Sequence, residues 1–413
     1  MRPSPTFLVA SALIYGFLYS DVTTHLSLRK RKRTDSDDAG SPKKKILITS
    51  NDTSWYSMED TVQRGKRKAS EDGEAPKKKF RCRDSTSTTK SSAEVRNTSS
   101  DGNGGDVERQ DSTSSTEEER IYELSSSANT NKADFREKYC QLAPIGSGGF
   151  GSVYKGYRRS DRLPVAIKHI PCRKVMTERV TCNGREFSII LEVAFMLKAA
   201  GLPGGPVGQS AVVSLLDWYI LDNKLILVME RPILSRDLDT YLRIRGGSLG
   251  ELEAKMILRQ LVDAAIHMHS KGVFHRDIKL KNVLVQLDSG LPRVRIIDFG
   301  CASFSTETSF SSFCGTRAFF PPEWSELDAY WAHPTTVWQL GAIFYSLLSG
   351  HPRFTTSDFV GNHIPINSAL SSDVKVLLYM CLVSDPCMRA TLGDLQGHPA
   401  LSGTNFPSAP GRM

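Results

Sequence analysis

From about Leu28 to Ala133 the sequence is short of the apolar residues from which a core is built; Ser, Thr, Asp, Glu, Lys, Arg and Gly dominate instead. Such a stretch cannot bury enough surface to offset its chain entropy, and it reads as disordered. The two or three domains that 413 residues could supply are therefore not expected, and folding should begin near residue 134. Paired cysteine motifs are missing too. Eight cysteines (Cys82, Cys140, Cys172, Cys182, Cys301, Cys314, Cys381, Cys387) fall at irregular spacings with no C-x-x-C pair, which argues against a zinc site and a disulfide framework and fits a reducing compartment. No apolar run is long enough to cross a bilayer, so no membrane partner is expected. Phe7 to Tyr19, which follows Arg2, has the length of a signal-peptide core. A secretory signal, a partner-binding helix and an unusual translation start stay open for it, although free cysteines speak against secretion.

The leader does contain positive charge. The net formal charge is +8, and its basic residues cluster at Arg29 to Arg33, Pro42 to Lys45, Lys66-Arg67-Lys68 and Lys77-Lys78-Lys79. The last two, separated by an acidic spacer, resemble a bipartite import signal, because an extended segment can place two cationic groups in separate acidic pockets. An import receptor is the expected partner, with residence in nucleus and cytoplasm; plain solvated charge is the alternative. Aromatic residues are scarce among the clusters, which counts against base stacking, and no stable nucleic-acid complex is expected.

From Tyr139 onward, short apolar runs punctuated by glycine (YCQLAPI, GSVYKGY, LPVAIKHI) read as three strands. The segment EFSIILEVAFMLKAA, Glu186 to Ala200, has apolar residues at helical spacing and reads as one helix. Two more strands, AVVSLLDWYI and KLILVME, follow. After Arg231-Pro232 the pattern is helical: DLDTYLRI, ELEAKMILRQLVDAAIHMHS and VWQLGAIFYSLLSG. The expected class is α+β and bilobal, with a small antiparallel-sheet lobe carrying one main helix, a larger helical lobe and a ligand cleft between them. Residues 1–133 form the leader, 134–232 the first lobe and hinge, 233–402 the second lobe and 403–413 a tail.

Four motifs carry chemistry. Gly146, Gly148 and Gly151, with Ser147, Gly149 and Phe150, make a G-x-G-x-x-G turn between two strands. A strand after the glycines excludes the dinucleotide-binding version and favours a flap whose backbone N–H groups close over a triphosphate. VAIK places Lys168 on the third strand, where an ammonium could contact phosphates if a carboxylate held it. Glu192, read as midway along the following helix among Ile189, Val193 and Met196, is preferred for that role over Glu186. The strongest signal is HRDIKLKN, His275 to Asn282, followed by DFG at Asp298 to Gly300.

With these motifs in order, the chain resembles eukaryotic protein kinases. The resemblance implies Asp277 as acceptor of the substrate hydroxyl proton, Lys279 steadying the transferred phosphoryl group, Asn282 and Asp298 holding Mg²⁺, and ATP as cosubstrate. Lys279, two residues past Asp277, and Thr316 in CGTRAFFPPEW agree with transfer to Ser/Thr hydroxyls of protein substrates. Glu323 has an architectural partner in Arg389. A monomer is expected. The rival reading is a nucleotide-binding scaffold acting through its basic leader.

Over nearly the whole domain the chain is similar to Pim-type kinases, on GSGGFGSVYKG, LPVAIKHI, LLDWY, HRDIK, PPEW and the hinge Glu230-Arg231-Pro232. Proline has no N–H to offer adenine. The resemblance therefore implies that Ile145, Val153, Ala166, Met229 and Leu284 hold adenine by apolar contact, with the Glu230 carbonyl as acceptor. The chain departs from the pattern in three places. Thr336 stands where most kinases have an aspartate beneath the catalytic loop, an acid that Pim-type chains also lack. Cys314 replaces an aspartate before Gly-Thr and, with an ordinary pKa, would give Arg276 no anion at neutral pH. Lys281 replaces an acid before Asn282, which should weaken a preference for upstream arginine. Glu307 or a phosphorylated Ser or Thr between Ser303 and Ser312 is the expected anion.

Overall fold

The computed structural model describes residues 116–149, 151–287, 290–350 and 354–402. The Phe7 to Tyr19 segment, the basic clusters, Cys82, Phe150 and the 403–413 tail lie outside the described residues. Among the described residues no helix is long and apolar enough to cross a membrane.

The disordered reading does not hold for the end of the leader. Helix α1 (Glu117–Ser125) starts at Thr116, whose hydroxyl caps the Glu119 N–H at 3.2 Å, and three acids in its first turn favour the N-terminal end of the helix dipole. Its Ile121 and Tyr122 are buried in the main core. Three apolar residues, Ile121, Tyr122 and Leu124, fall within a single turn among charges, too short a run to show a periodicity. Helix α2 (Lys132–Lys138), capped by Asn131, leads into the sheet.

Strands β1 (Tyr139–Gly148), β2 (Gly151–Arg158), β3 (Pro164–Pro171), β6 (Leu215–Leu221) and β7 (Lys224–Glu230) form one antiparallel sheet in the order β1-β2-β3-β7-β6. Alternation along β3 divides its two faces. Val165 and Ile167 are buried with Tyr139, Tyr219 and Val228, while Ala166 and Lys168 lie on the opposite face.

The single helix expected over Glu186 to Ala200 is two elements. β4 (Thr177–Cys182) and β5 (Arg185–Ile190) form a hairpin, and α3 (Leu191–Ala200) begins only afterward. Asn183 (φ +49°) and Gly184 (φ +76°) supply the left-handed conformations that a tight hairpin turn needs. Phe187 and Ile189 are buried while Glu186 and Ser188 are exposed, a period of two that the Ile-Ile-Leu junction hides. Glu186 is thus an exposed strand residue, and Glu192 sits in the first turn of α3.

The second lobe opens with β8 (Ser235–Asp237) and α4 (Leu238–Ile244), then α5 (Glu251–Ser270). Short strands β9 (Val273–Phe274), β10 (Val283–Gln286), β11 (Arg293–Ile296) and β12 (Ser303–Phe304) frame the loops facing the cleft. The lobe continues with α6 (Pro322–Leu327), α7 (Ala332–Ser349), α8 (Thr356–Val360), α9 (Ser372–Cys381), α10 (Leu392–Gln396) and α11 (Pro399–Ser402). α7 is apolar nearly all round and buried along most of its length, as a central helix must be. The expected Glu323–Arg389 pair is present, bidentate at 2.7 and 3.0 Å and fully buried.

Candidate active site

Lys168 is the centre of the first cluster. Strand β3 places its side chain on the cleft face, where Nζ donates to Glu192 Oε1 at 2.6 Å and to Asp298 Oδ1 at 2.8 Å. Burial alone would lower the ammonium's pKa, but the two carboxylates outweigh it and the pKa is raised. For Asp298 burial works upward and Lys168 downward, and the ammonium wins, so the carboxyl lies below its usual range. Cross-strand register puts Val153 opposite Lys168 and Ala166 opposite Met229, so all four share the cleft face of the sheet. Leu284 is half-buried on β10, and Ile145 is exposed on the flap.

The flap glycines divide by role. At Gly151 (φ +146°) a Cβ would lie 2.0 Å from the His169 carbonyl oxygen, so glycine there serves the packing of β2 on β3. At Gly146, Gly148 and Gly149 a Cβ would meet nothing within 4 Å, leaving the backbone beside them open to a ligand. Lys174 Nζ donates to the Gly149 carbonyl at 2.7 Å and ties down the flap tip. Ser147 pairs with Ser152 in the β1–β2 register.

The second cluster is the loop between β9 and β10. Asp277 is buried, and its carboxylate accepts from Lys279 Nζ at 2.7 Å, Thr316 Oγ1 at 2.7 Å and Asn282 Nδ2 at 3.1 Å. Lys279 Nζ also donates to Thr316 Oγ1 at 2.6 Å. Asn282 sends its amide nitrogen to the Asp277 carbonyl at 2.9 Å as well, which leaves its carbonyl oxygen as the atom a hard cation would take. Arg276 (φ +65°) and Asp298 (φ +69°) both hold left-handed backbone that non-glycine residues rarely adopt.

At the hinge the Glu230 N–H donates to Ser214 O and the Arg231 N–H to Pro164 O, both at 3.0 Å, and Pro232 has no N–H. These three positions therefore have no backbone donor for a purine. The Glu230 side chain turns inward: its carboxylate accepts from the Ser214 N–H at 2.7 Å and pairs with Arg295, both residues being buried. The open glycine backbone, the doubly paired ammonium and the oxygen donors Asn282 and Asp298 fit a nucleoside triphosphate with Mg²⁺.

Sequence reasoning missed Arg295, which reads as an ordinary strand charge, and Gln339 of α7, whose side chain reaches the backbone on either side of Asp277. It also gave Cys314 an ordinary pKa, whereas its surroundings lower it. A hydrogen bond from Cys301 and the charge of Arg276 together outweigh burial and bring the Cys314 thiol down to about 7. Arg276 itself donates from Nε to the Cys301 carbonyl at 2.5 Å, while Glu307 is exposed and acts on His333.

Two lobes, a phosphate flap, a buried lysine–carboxylate pair and a hydrogen-bonded aspartate define a phosphotransferase. The protein kinase domain model matches residues 139–401, and the chain belongs to that family, whose members use ATP and Mg²⁺. The chain is 35% identical over 274 residues to serine/threonine-protein kinase pim-2 of Danio rerio, covering 66% of this chain and 87% of the relative. It is 32% identical over 270 residues to serine/threonine-protein kinase prk-2 of Caenorhabditis elegans, covering 64% and 58% respectively. An Aurora kinase of Dictyostelium discoideum is 28% identical over 263 residues, covering 62% and 63%.

Proposed function

We propose that the chain is an active serine/threonine kinase of Pim type, dependent on ATP and Mg²⁺. The observation that carries this reading is the Asp277 carboxylate held by both Lys279 and Thr316. When bound, ATP supplies the phosphoryl group and Mg²⁺ offsets its charge. Asp277 orients the incoming hydroxyl and takes its proton; the bonds from Thr316 and Asn282 keep the carboxylate from rotating away. Lys279, beside it, is placed to lie near developing negative charge. Lys168, fixed by Glu192 and Asp298, presents one ammonium at a defined position without having to order a long side chain at the moment of reaction. Asn282 and Asp298 supply hard oxygens for the cation.

The donor-poor hinge and the 35% identity to pim-2 support the Pim-type assignment. Purified protein given labelled ATP, Mg²⁺ and mixed peptides should yield phosphoserine and phosphothreonine. Phosphotyrosine alone, or no transfer, overturns the reading. The basic clusters of the leader support passage into the nucleus through an import receptor. Removing the basic runs through Arg83 from a fluorescent fusion should shift it toward the cytoplasm, and an unchanged nuclear fraction refutes that part.

A further inference from the structure

Helix α1 lies before the stretch matched by the kinase family, yet it is bound to the helix that carries Glu192. Glu118 pairs with Lys198 in the last turn of α3, and the Tyr122 hydroxyl donates to Glu118 at 2.7 Å. The Lys198 ammonium also sits 4.9 Å from the centre of the Tyr122 ring, and its side chain is 8% exposed. A lysine so enclosed needs a counter-charge, because an unpaired buried ammonium is costly. Glu118 is the carboxylate that supplies it. The same helix holds the β4–β5 hairpin next to α3: Glu119 accepts from Asn183 at 3.1 Å and Arg185 at 2.7 Å, and the Tyr122 ring lies 6.2 Å from that of Phe187. Downstream, Trp218 Nε1 donates to Ser127 O at 2.6 Å, and the Ile220 N–H donates to Asn129 O at 2.9 Å, so the segment is laid along the edge strand β6.

These contacts enclose α3 from outside the cleft. Its first turn bears Glu192, paired with Lys168, and its last turn bears Lys198, paired with Glu118. A rigid helix fixed at one end transmits that position to the other. We propose that residues 116–131 form a clamp within the chain that holds α3 where Glu192 meets Lys168, with Glu118 and Tyr122 as positioning residues acting through Lys198. This inference rests on the kinase reading for its effect on turnover, although the placement of α3 can be measured without it.

The test uses the full chain in four forms: wild type, Glu118→Gln, Glu118→Lys, and Glu118→Lys combined with Lys198→Glu. Glu118→Gln keeps the shape of the side chain and guards against simple misfolding in the charge reversal. Two quantities are read: peptide phosphorylation as kcat and ATP KM, and hydrogen exchange of the α3 amides in nucleotide-free protein. Glu118→Lys should lower kcat about tenfold and speed exchange in α3 ahead of α5 and α7, Glu118→Gln should do so less, and the double exchange should recover both quantities. Fast α3 exchange that the double exchange reverses, in a protein with no phosphotransfer in any form, supports the clamp and refutes the kinase reading. Wild-type kcat and α3 protection in both single variants overturns the clamp. Loosening spread evenly over the molecule, with no recovery in the double exchange, also overturns it.

Discussion

Gln339, on the buried helix α7, makes both halves of its amide serve the backbone on either side of Asp277. Its Nε2 donates to the Arg276 carbonyl at 2.7 Å and its Oε1 accepts from the Ile278 N–H at 3.1 Å. Arg276 has φ +65°, so these two bonds fasten a loop whose backbone is strained at the residue before Asp277. Thr336, which stands where most kinases have an aspartate, is turned to other partners: it donates to Ala332 O and lies 2.8 Å from His269 Nε2. The loop is thus held by an amide three residues further along the helix.

Gln339→Leu should keep the volume approximately but leave a buried carbonyl and a buried N–H without partners, at a cost of about 1–3 kcal/mol for each. Melting temperature should fall, and kcat should fall at least tenfold with little change in ATP KM, since the loss is at the catalytic loop and away from the flap. Steady-state kinetics beside thermal denaturation checks this. An unchanged kcat in the folded variant would show that the loop holds its shape by other means.

Cys314 should behave as an acid near neutrality. Its pKa is lowered to about 7 by the hydrogen bond from Cys301 and by Arg276, so the thiolate predominates above that pH and the neutral thiol below it. Iodoacetamide labelling of Cys314, followed by mass spectrometry across pH, should rise with a midpoint near 7, below the ordinary thiol value of about 8.5. Cys301→Ala removes the hydrogen bond and should move the midpoint upward. A midpoint at the ordinary value in the wild type, or none of this movement in the variant, contradicts the assignment.

The sequence made the candidate site legible because each motif joins fixed residue types at fixed spacing: the structure brings Lys168, Glu192 and Asp298 into one cluster and Asp277 and Asn282 into another. The α+β, bilobal class was legible for the same reason. What escaped depended on contacts distant in sequence. Helix α1 has only Ile121 and Tyr122 fully buried among its apolar residues, and its other ties are a hydrogen bond from Asn183 and ion pairs to Arg185, Lys198 and Lys271, 64 to 154 positions away, which no local pattern shows. The β4–β5 hairpin was lost because Ile189, Ile190 and Leu191 bridge a strand end and a helix start, so that a period of two runs directly into one of 3.6. The lowered pKa of Cys314 required knowing that Cys301 and Arg276 lie beside it.

Peptide selectivity should reflect Lys281. Lys281 is exposed within the loop between β9 and β10, and Asp237, the acid just past the hinge at the end of β8, already spends one carboxylate oxygen capping Thr240 N at 2.9 Å. Like charges at short range disfavour binding. Lys281→Glu should raise kcat/KM for arginine-rich peptides over neutral ones by about tenfold, if the exchange is worth about 1.4 kcal/mol. A peptide array at fixed ionic strength decides it. No change in the ratio would mean that Lys281 points away from the bound peptide.

The most direct test of the account is phosphoryl transfer by Asp277→Asn against wild type. The asparagine keeps the size of the side chain and its one carbonyl oxygen can still accept from either Lys279 or Thr316, which donate to different oxygens of Asp277, but it cannot accept a proton at the pH of the assay. With ATP, Mg²⁺ and a serine peptide saturating, single-turnover transfer should fall by roughly 10²- to 10⁴-fold while the melting temperature stays within a few degrees of wild type. Transfer within about threefold of wild type in the folded variant would contradict the assignment of Asp277, and with it the mechanism built on this site.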